Sequence, residues 1–364
     1  MAGVYISYPF CGQKCTFCNF VSGVFPRSLV DKYLQALRAE IGGHQWPWQP
    51  ETLYLGGGSP ANLEIEPLGA LLERVPGQPW VEATIESPPG SITEEKAAGW
   101  RQLGLNRVSL GVQSFVSTEL ALTGRRHDAR RVLAEVRTLR AAGIDNFNID
   151  LIAGLPGQTL ASWRESLDWV DGLQAPHVSV YMLEIDHDSR LGKEILTGGS
   201  RYGARETPSE DAAVEMYQTA VKKLAATGLH RYEISNFARP GSESRHNLKY
   251  WRLEPYVGFG ADAHSCDGAT RSQNVESPRE YVARHERGEP PQSAATPARP
   301  EEERFFLGLR LSDGIRPSLE EWRKYEAPIQ RFREAGLVET DGRMLRLTGR
   351  GVLLSNEVFK EFIT

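Results

Sequence analysis

The sequence predicts an α/β fold built on parallel strands, either open or curled into a full or partial barrel, with a small helical module behind it. Three observations carry this reading. Short apolar runs alternate with longer amphipathic segments over the first half of the chain. A proline-rich stretch then interrupts the pattern, and the residues beyond it read as helices around a small hairpin. The 364 residues suit one large α/β domain with an appendage, or two ordinary domains.

Taken in order, strands are expected at residues 4–8, 51–55, 81–86, 107–111, 146–151 and 178–183. Amphipathic helices are expected between them at 29–41, 68–75, 93–103, 129–142 and 160–173. In the first of these Val30, Tyr33, Leu34, Leu37 and Ile41 mark one apolar face at helical spacing. Six strands separated by helices imply right-handed crossovers, and the loops after the carboxyl ends of the strands form the working face. The pattern then weakens to a helix at 210–227 and a strand at 231–237. Residues 287–300 hold Pro290, Pro291, Pro297 and Pro300 and read as a linker, dividing residues 1–286 from 301–364. Past the linker lie helices at 301–309, 319–325 and 329–335, then strands at 337–340 and 344–347 around a turn at Asp341 and Gly342. A closing helix within 348–362 completes a pattern that resembles a winged helix.

Composition excludes several classes. With 40% hydrophobic and 24% charged residues the chain supports a core, which argues against general disorder. A net charge of −5 gives no global attraction for nucleic acid or anionic lipid. No 18-residue apolar run suggests a membrane span, and residues 1–11 lack the pattern of a secretory signal. Of four cysteines, three crowd between Cys11 and Cys18, which points to a metal site in a reducing cytosol rather than a disulfide scaffold.

That cluster, Cys11-Gly12-Gln13-Lys14-Cys15-Thr16-Phe17-Cys18, is the strongest signal. At this cysteine frequency the two added cysteines would fall at their offsets by chance about once in 10⁴. Three soft thiolates on one loop suit iron–sulfur or zinc ligation. Structural zinc wants a fourth ligand, commonly from a second paired motif, and none appears. A cubane cluster held by three cysteines leaves one iron open. Cys266 reads as a small buried residue rather than a fourth ligand.

Other polar residues gather at strand ends. Gly56-Gly57-Gly58-Ser59-Pro60 follows the second strand; glycines admit close backbone approach, as a turn or as a ligand cradle, and no phosphate-loop ending is present. Glu86 ends the third strand, Gln113 follows the fourth with Arg125 and His127 beyond it, and Asp150 sits in the fifth. Any one of these could cap a helix or satisfy a loop; their recurrence at strand ends favours one shared site.

With Phe17 directly before the last cysteine, Cys11, Cys15 and Cys18 resemble the CxxxCxxC loop of the radical S-adenosylmethionine (SAM) superfamily. The resemblance implies a partial (β/α)6 barrel and a 4Fe-4S cluster on the three cysteines. It further implies that SAM chelates the fourth iron, and that reduction releases a 5′-deoxyadenosyl radical. Gly57, Gly58 and Ser59 resemble the glycine motif that meets the amino group of SAM. Tyr5, Glu86, Gln113, Arg125 and Asp150 match the SAM surroundings in the coproporphyrinogen dehydrogenase-like branch: Gln113 and Asp150 at the ribose, Arg125 near the carboxylate.

Within that branch the short segment before Cys11, and Phe20 where the dehydrogenase has a further cysteine, resemble the haem chaperone family HemW. His246-Asn247-Leu248-Lys249-Tyr250-Trp251 matches its HNxxYW motif, and the glycine-rich run 256–264 resembles a second segment. The resemblance implies a cytoplasmic carrier that binds haem near His246 and delivers it to respiratory haem proteins, touching the membrane only through that partner. A flavodoxin or ferredoxin would be the electron donor. The imidazole is a good haem ligand, with His264 a secondary candidate; the rival reading makes His246, Tyr250 and Trp251 core residues. The alternative function is oxygen-independent coproporphyrinogen III oxidation to protoporphyrinogen IX. Arg343, Arg346 and Arg350 near the hairpin are expected to be surface charge rather than a nucleic-acid contact.

Overall fold

The computed structural model describes residues 2–363. Its centre is six parallel strands, β1 (Ala2–Tyr8), β2 (Pro50–Gly57), β3 (Glu82–Ser87), β4 (Arg107–Gln113), β5 (Asn146–Ala153) and β6 (His177–Met182), paired in chain order. The crossovers are α1 (Arg27–Gly43), α2 (Ile65–Leu72), α3 (Glu94–Gln102), α4 (Ser117–Leu122), α5 (Ala129–Ala141) and α6 (Leu160–Gly172). This is the expected α/β arrangement, a (β/α)6 partial barrel. Three of its helices, α3, α5 and α6, start at a side-chain cap: Thr93, Asp128 and Thr159 accept from the backbone amides of Lys96, Arg131 and Ser162.

Period-two alternation sorts the strand residues. Val4, Ile6, Ala83, Ile85, Val108, Leu110, Phe147, Ile149, Val178 and Val180 join the hydrophobic core under the helices. Their neighbours, among them Glu82, Arg107, Asn148, His177 and Ser179, are buried and polar. These inward groups hydrogen-bond one another: His177 Nδ1 lies 2.7 Å from Asn148 Oδ1, and Asn148 Nδ2 donates to Ser109 Oγ at 2.8 Å. The interior is thus a polar lining, much of it cross-linked by hydrogen bonds, while the buried Arg107 Nε and Thr84 Oγ1 have no partner among the described residues.

After β6 come α7 (Arg190–Leu196), α8 (Glu210–Ala226), β7 (His230–Arg231), β8 (Asn236–Ala238) and α9 (Arg245–Trp251). The expected strand at 231–237 is therefore two short pieces, and β8 runs antiparallel to β6. Then β9 (Tyr256–Phe259) pairs parallel to β1 on its free side. Next come β10 (His264–Cys266), β11 (Thr270–Asn274), α10 (Pro278–Arg287) and β12 (Gln292–Pro297), the strands forming an antiparallel extension. The stretch expected as a linker holds β12, which pairs with β11 from Thr270↔Pro297 to Asn274↔Gln292; it is an edge strand, not a tether. Pro297 closes the edge where no further ladder bond is needed.

The closing module has α11 (Pro300–Gly308), α12 (Leu319–Lys324), α13 (Glu326–Glu334), a hairpin of β13 (Val338–Thr340) and β14 (Leu345–Leu347), then α14 (Gly349–Leu353) and α15 (Ser355–Phe359). Phe305 packs on Tyr325 and Phe362 with ring centroids 4.5 and 4.7 Å away. The module is tied to the barrel: Arg271 grips Glu303 through two bonds of 2.8 and 2.7 Å, and the Ser312 amide donates to Tyr232 O at 2.9 Å. Among the described residues no helix is long and apolar enough to cross a membrane.

Candidate functional site

The cysteine loop leaves β1 and is pinned from three directions. The Cys11 amide donates to Gly23 O at 2.8 Å, the Thr16 amide to Thr123 O at 3.1 Å after α4, and the Leu191 amide to Thr16 O at 2.8 Å from α7. Beside it, the glycine run at the end of β2 lets two backbones touch. A Cβ on Gly58 would stand 2.6 Å from Tyr8 O and 2.8 Å from Phe10 N, and Gly57 holds φ +95°. Close approach of these two strand ends is what brings the Gly57–Ser59 backbone against the cysteines.

A cavity of about 1480 Å³ opens over the carboxyl ends of the strands. Cys11, Cys15 and Cys18 line it, together with Gly57, Gly58, Ser59, Glu86, Gln113, Arg125, His127 and Asp150. Most of the site residues expected from the sequence therefore meet in one space, as strand-end logic requires. Burial pushes the Cys11 thiol up, with bonds to Ser22 and Ser59 acting the other way. Glu86 accepts from the Tyr54 hydroxyl at 2.9 Å; burial and the neighbouring Asp150 charge raise its carboxyl to about 7. Asp150 is itself raised by burial, opposed by hydrogen bonds from Asn148, Ser179 and Ser109. His127 is pushed down to about 4 by burial and by Arg125.

Several polar atoms here are held open. Gln113 sits at φ +71° with its Oε1 buried and unpartnered among the described residues. Arg125 donates from Nη1 to Gly111 O at 2.6 Å, leaving its buried Nε without a partner among those residues. Buried polar groups are normally paired, so these point to a polar ligand. Three thiols on one cavity are the donor set of a 4Fe-4S cluster with one free iron, and the residues fit that group. In such a cluster each thiolate takes a different iron. Among the described residues no three His, Cys, Asp or Glu side chains gather as a site for a single ion.

Two expected residues lie elsewhere. Tyr5 does not line this cavity; it opens into a second one of about 330 Å³ that shares Gly57, Glu86 and Phe20 with the first. His246 departs further from expectation. It is 1% exposed, with Nδ1 2.9 Å from Thr52 Oγ1 and Nε2 2.8 Å from the Tyr250 hydroxyl. The helix that carries it, α9, plugs the amino-terminal end of the barrel, where the Glu82 carboxylate accepts from the amides of Arg245 and His246 at 2.9 Å each. Both ring nitrogens are engaged, which is the geometry of the rival reading, His246 as a buried brace. Cys266 is buried in β10 outside both cavities, as a packed residue.

Sequence reading missed part of the wall. Tyr181 and Met182 line the cavity from the end of β6, where the strand-end rule would have found them. Arg310 and residues 352–357 reach it from the closing module, and no local motif marks them. Arg310 stacks 4.3 Å over the Trp251 ring and lies 3.6 Å from buried Glu233, which links α9 to the cavity rim.

Against known proteins, residues 5–170 match the radical SAM superfamily and residues 296–354 the HemN C-terminal domain. The chain is 35% identical to the heme chaperone HemW of Bacillus subtilis, over 100% of this chain and 99% of that one. The chain belongs to the HemW family. A Mycobacterium tuberculosis HemW is 34% identical over 99% of this chain and 94% of its own length. A bovine mitochondrial relative, radical S-adenosyl methionine domain-containing protein 1, is 28% identical over 100% and 87%. Escherichia coli HemN, a coproporphyrinogen III oxidase, superposes with a TM-score of 0.84 at 24% identity, covering 100% of this chain and 90% of that one. That likeness fixes the fold of this HemW-family chain.

Proposed function

We propose that this chain is a haem chaperone: it holds a 4Fe-4S cluster and SAM in the larger cavity, binds haem, and passes haem to respiratory haem proteins. The observation that carries the reading is the meeting of three thiols, a glycine cradle and several strand-end polar residues on one cavity. Cys11, Cys15 and Cys18 would hold the cluster, which when bound supplies an open iron for the amino and carboxylate groups of SAM. The Gly57–Ser59 backbone, glycine at two of its three positions, can meet the amino group. Arg125 has an unused donor for the SAM carboxylate, and Gln113 and Asp150 have acceptors for ribose hydroxyls. Glu86, raised to about 7, is poised to hold a proton on the cavity floor near neutrality. The carrier works in the cytosol, draws reducing electrons from a flavodoxin or ferredoxin, and meets the membrane only through the haem acceptor.

The test pairs two assays on one anaerobically reconstituted sample. Iron and sulfide should bind, SAM should perturb the reduced-cluster electron paramagnetic resonance spectrum, and haem should move to an apo-acceptor. A protein lacking iron and sulfide, or one that turns coproporphyrinogen III into protoporphyrinogen IX with matching SAM cleavage, overturns the reading. Cys15→Ser should lose the cluster while Cys266→Ser keeps it.

A further inference from the structure

The smaller cavity has the chemistry of a porphyrin site. Its walls are Tyr5, Tyr250 and Tyr256, with Phe20 and Val21 at the lip. Phe20 is 69% exposed and Val21 38%, an apolar rim open to solvent. Tyr250 and Tyr256 meet edge to face at 4.7 Å, and Tyr5 stacks on Tyr54 at 6.1 Å, so the aromatic walls are braced from behind. His264 stands at the mouth. Its ring is exposed and takes no hydrogen bond, ion pair or ring contact among the described residues, whereas His246 is engaged at both nitrogens.

The backbone explains why an imidazole sits there. The chain turns back between β9 and β10 through Gly260 and Asp262. A Cβ on Gly260 would stand 2.8 Å from Ser7 O, and Asp262 takes φ +60°. This turn folds β10 against β9 and brings the His264 side chain to the edge of the aromatic cleft.

We infer that His264 is the axial haem ligand of this chain, with the macrocycle seated edge-on in the Tyr5–Tyr250–Tyr256 cleft. This rests on the haem-carrier reading above and assigns it a site. A neutral imidazole is a strong ligand for haem iron, and π-faces cover a porphyrin. At about 330 Å³ the cleft is near the lower limit of small-molecule sites, so the macrocycle stays partly exposed and can leave sideways to an acceptor. Asp262 on the wall disfavours carboxylates there, which directs the propionates outward and the apolar edge inward. His246 then acts as a positioning residue: it bonds the Tyr250 hydroxyl from behind and sets the cleft wall.

The experiment is a haem titration of the full-length protein monitored by absorption spectroscopy, on wild type, His264→Ala, His246→Ala and the exposed-surface control His230→Ala, each checked for folding by circular dichroism. Wild type and His230→Ala should show the bands of an imidazole-ligated haem. His264→Ala should lose those bands and bind at least about tenfold more weakly, and added free imidazole should restore them; His264→Met should give altered bands. His246→Ala should keep the imidazole bands with weaker binding. Wild-type bands and affinity in His264→Ala, or loss of the bands in His246→Ala alone, overturn the assignment while sparing the carrier reading. A wild type that binds no haem defeats both.

Discussion

At the scale of single residues, burial explains more than composition. His246 is neutral because burial, then Lys249 and Arg107, push it down to about 3, while an exposed imidazole titrates near 6.5. The unfolded chain therefore takes up the proton first as pH falls. The stability His246 contributes is intact above about 6.5 and is lost progressively toward pH 3. Urea midpoints of wild type and His246→Gln, compared between pH 7 and pH 4, should converge on acidification; a constant gap would show that the imidazole is not held neutral. The residue was legible as important and illegible as to role. An HNxxYW string marks its members, yet only the packing of α9 against Thr52 and Glu82 decides that the ring faces inward. For Tyr5, the position six residues before Cys11 fixes its strand, not which of two adjoining cavities it opens on.

Among elements, the six βα units were readable because each strand buries one apolar face at period two and each helix one stripe at helical spacing. The extension β9–β12 was not. Its pairings are long-range, and β12 reads Gln-Ser-Ala-Ala-Thr-Pro, an exposed edge with no apolar face to announce it. α9 has a different signature. Its amino end is satisfied by Glu82, a residue 162 positions away from Ser244, whose Oγ also donates to that carboxylate at 3.2 Å. Glu82→Ala would strand these donors in the barrel floor. A loss of about 3–5 kcal/mol in unfolding free energy is expected by chemical denaturation. A loss below about 1 kcal/mol would mean that solvent reaches the α9 amino terminus.

The whole molecule behaves as one packed body in its contacts. A single cluster of buried apolar residues runs from Val4 in β1 to Phe362 at the end of the closing module. Arg271 and Glu303, Trp251 and Arg310, and the bridge between Glu233 and Leu311 cross the division expected at residues 287–300. Calorimetry of the full chain should show one unfolding transition, and a chain ending at residue 298 should melt lower and expose Trp251 to quenchers. Two separated transitions would instead establish two independent units. The cavity wall also explains why its closing side escaped sequence reading: residues 352–357 reach it only because that module docks.

Gln113 carries a consequence for engineering. A left-handed backbone at a non-glycine residue costs about 1 kcal/mol, and its buried carbonyl oxygen without a partner among the described residues adds to that. Gln113→Gly should therefore raise the melting midpoint of the ligand-free protein while weakening SAM retention. Selection for heat resistance alone would drift toward a sturdier molecule with an emptier cavity.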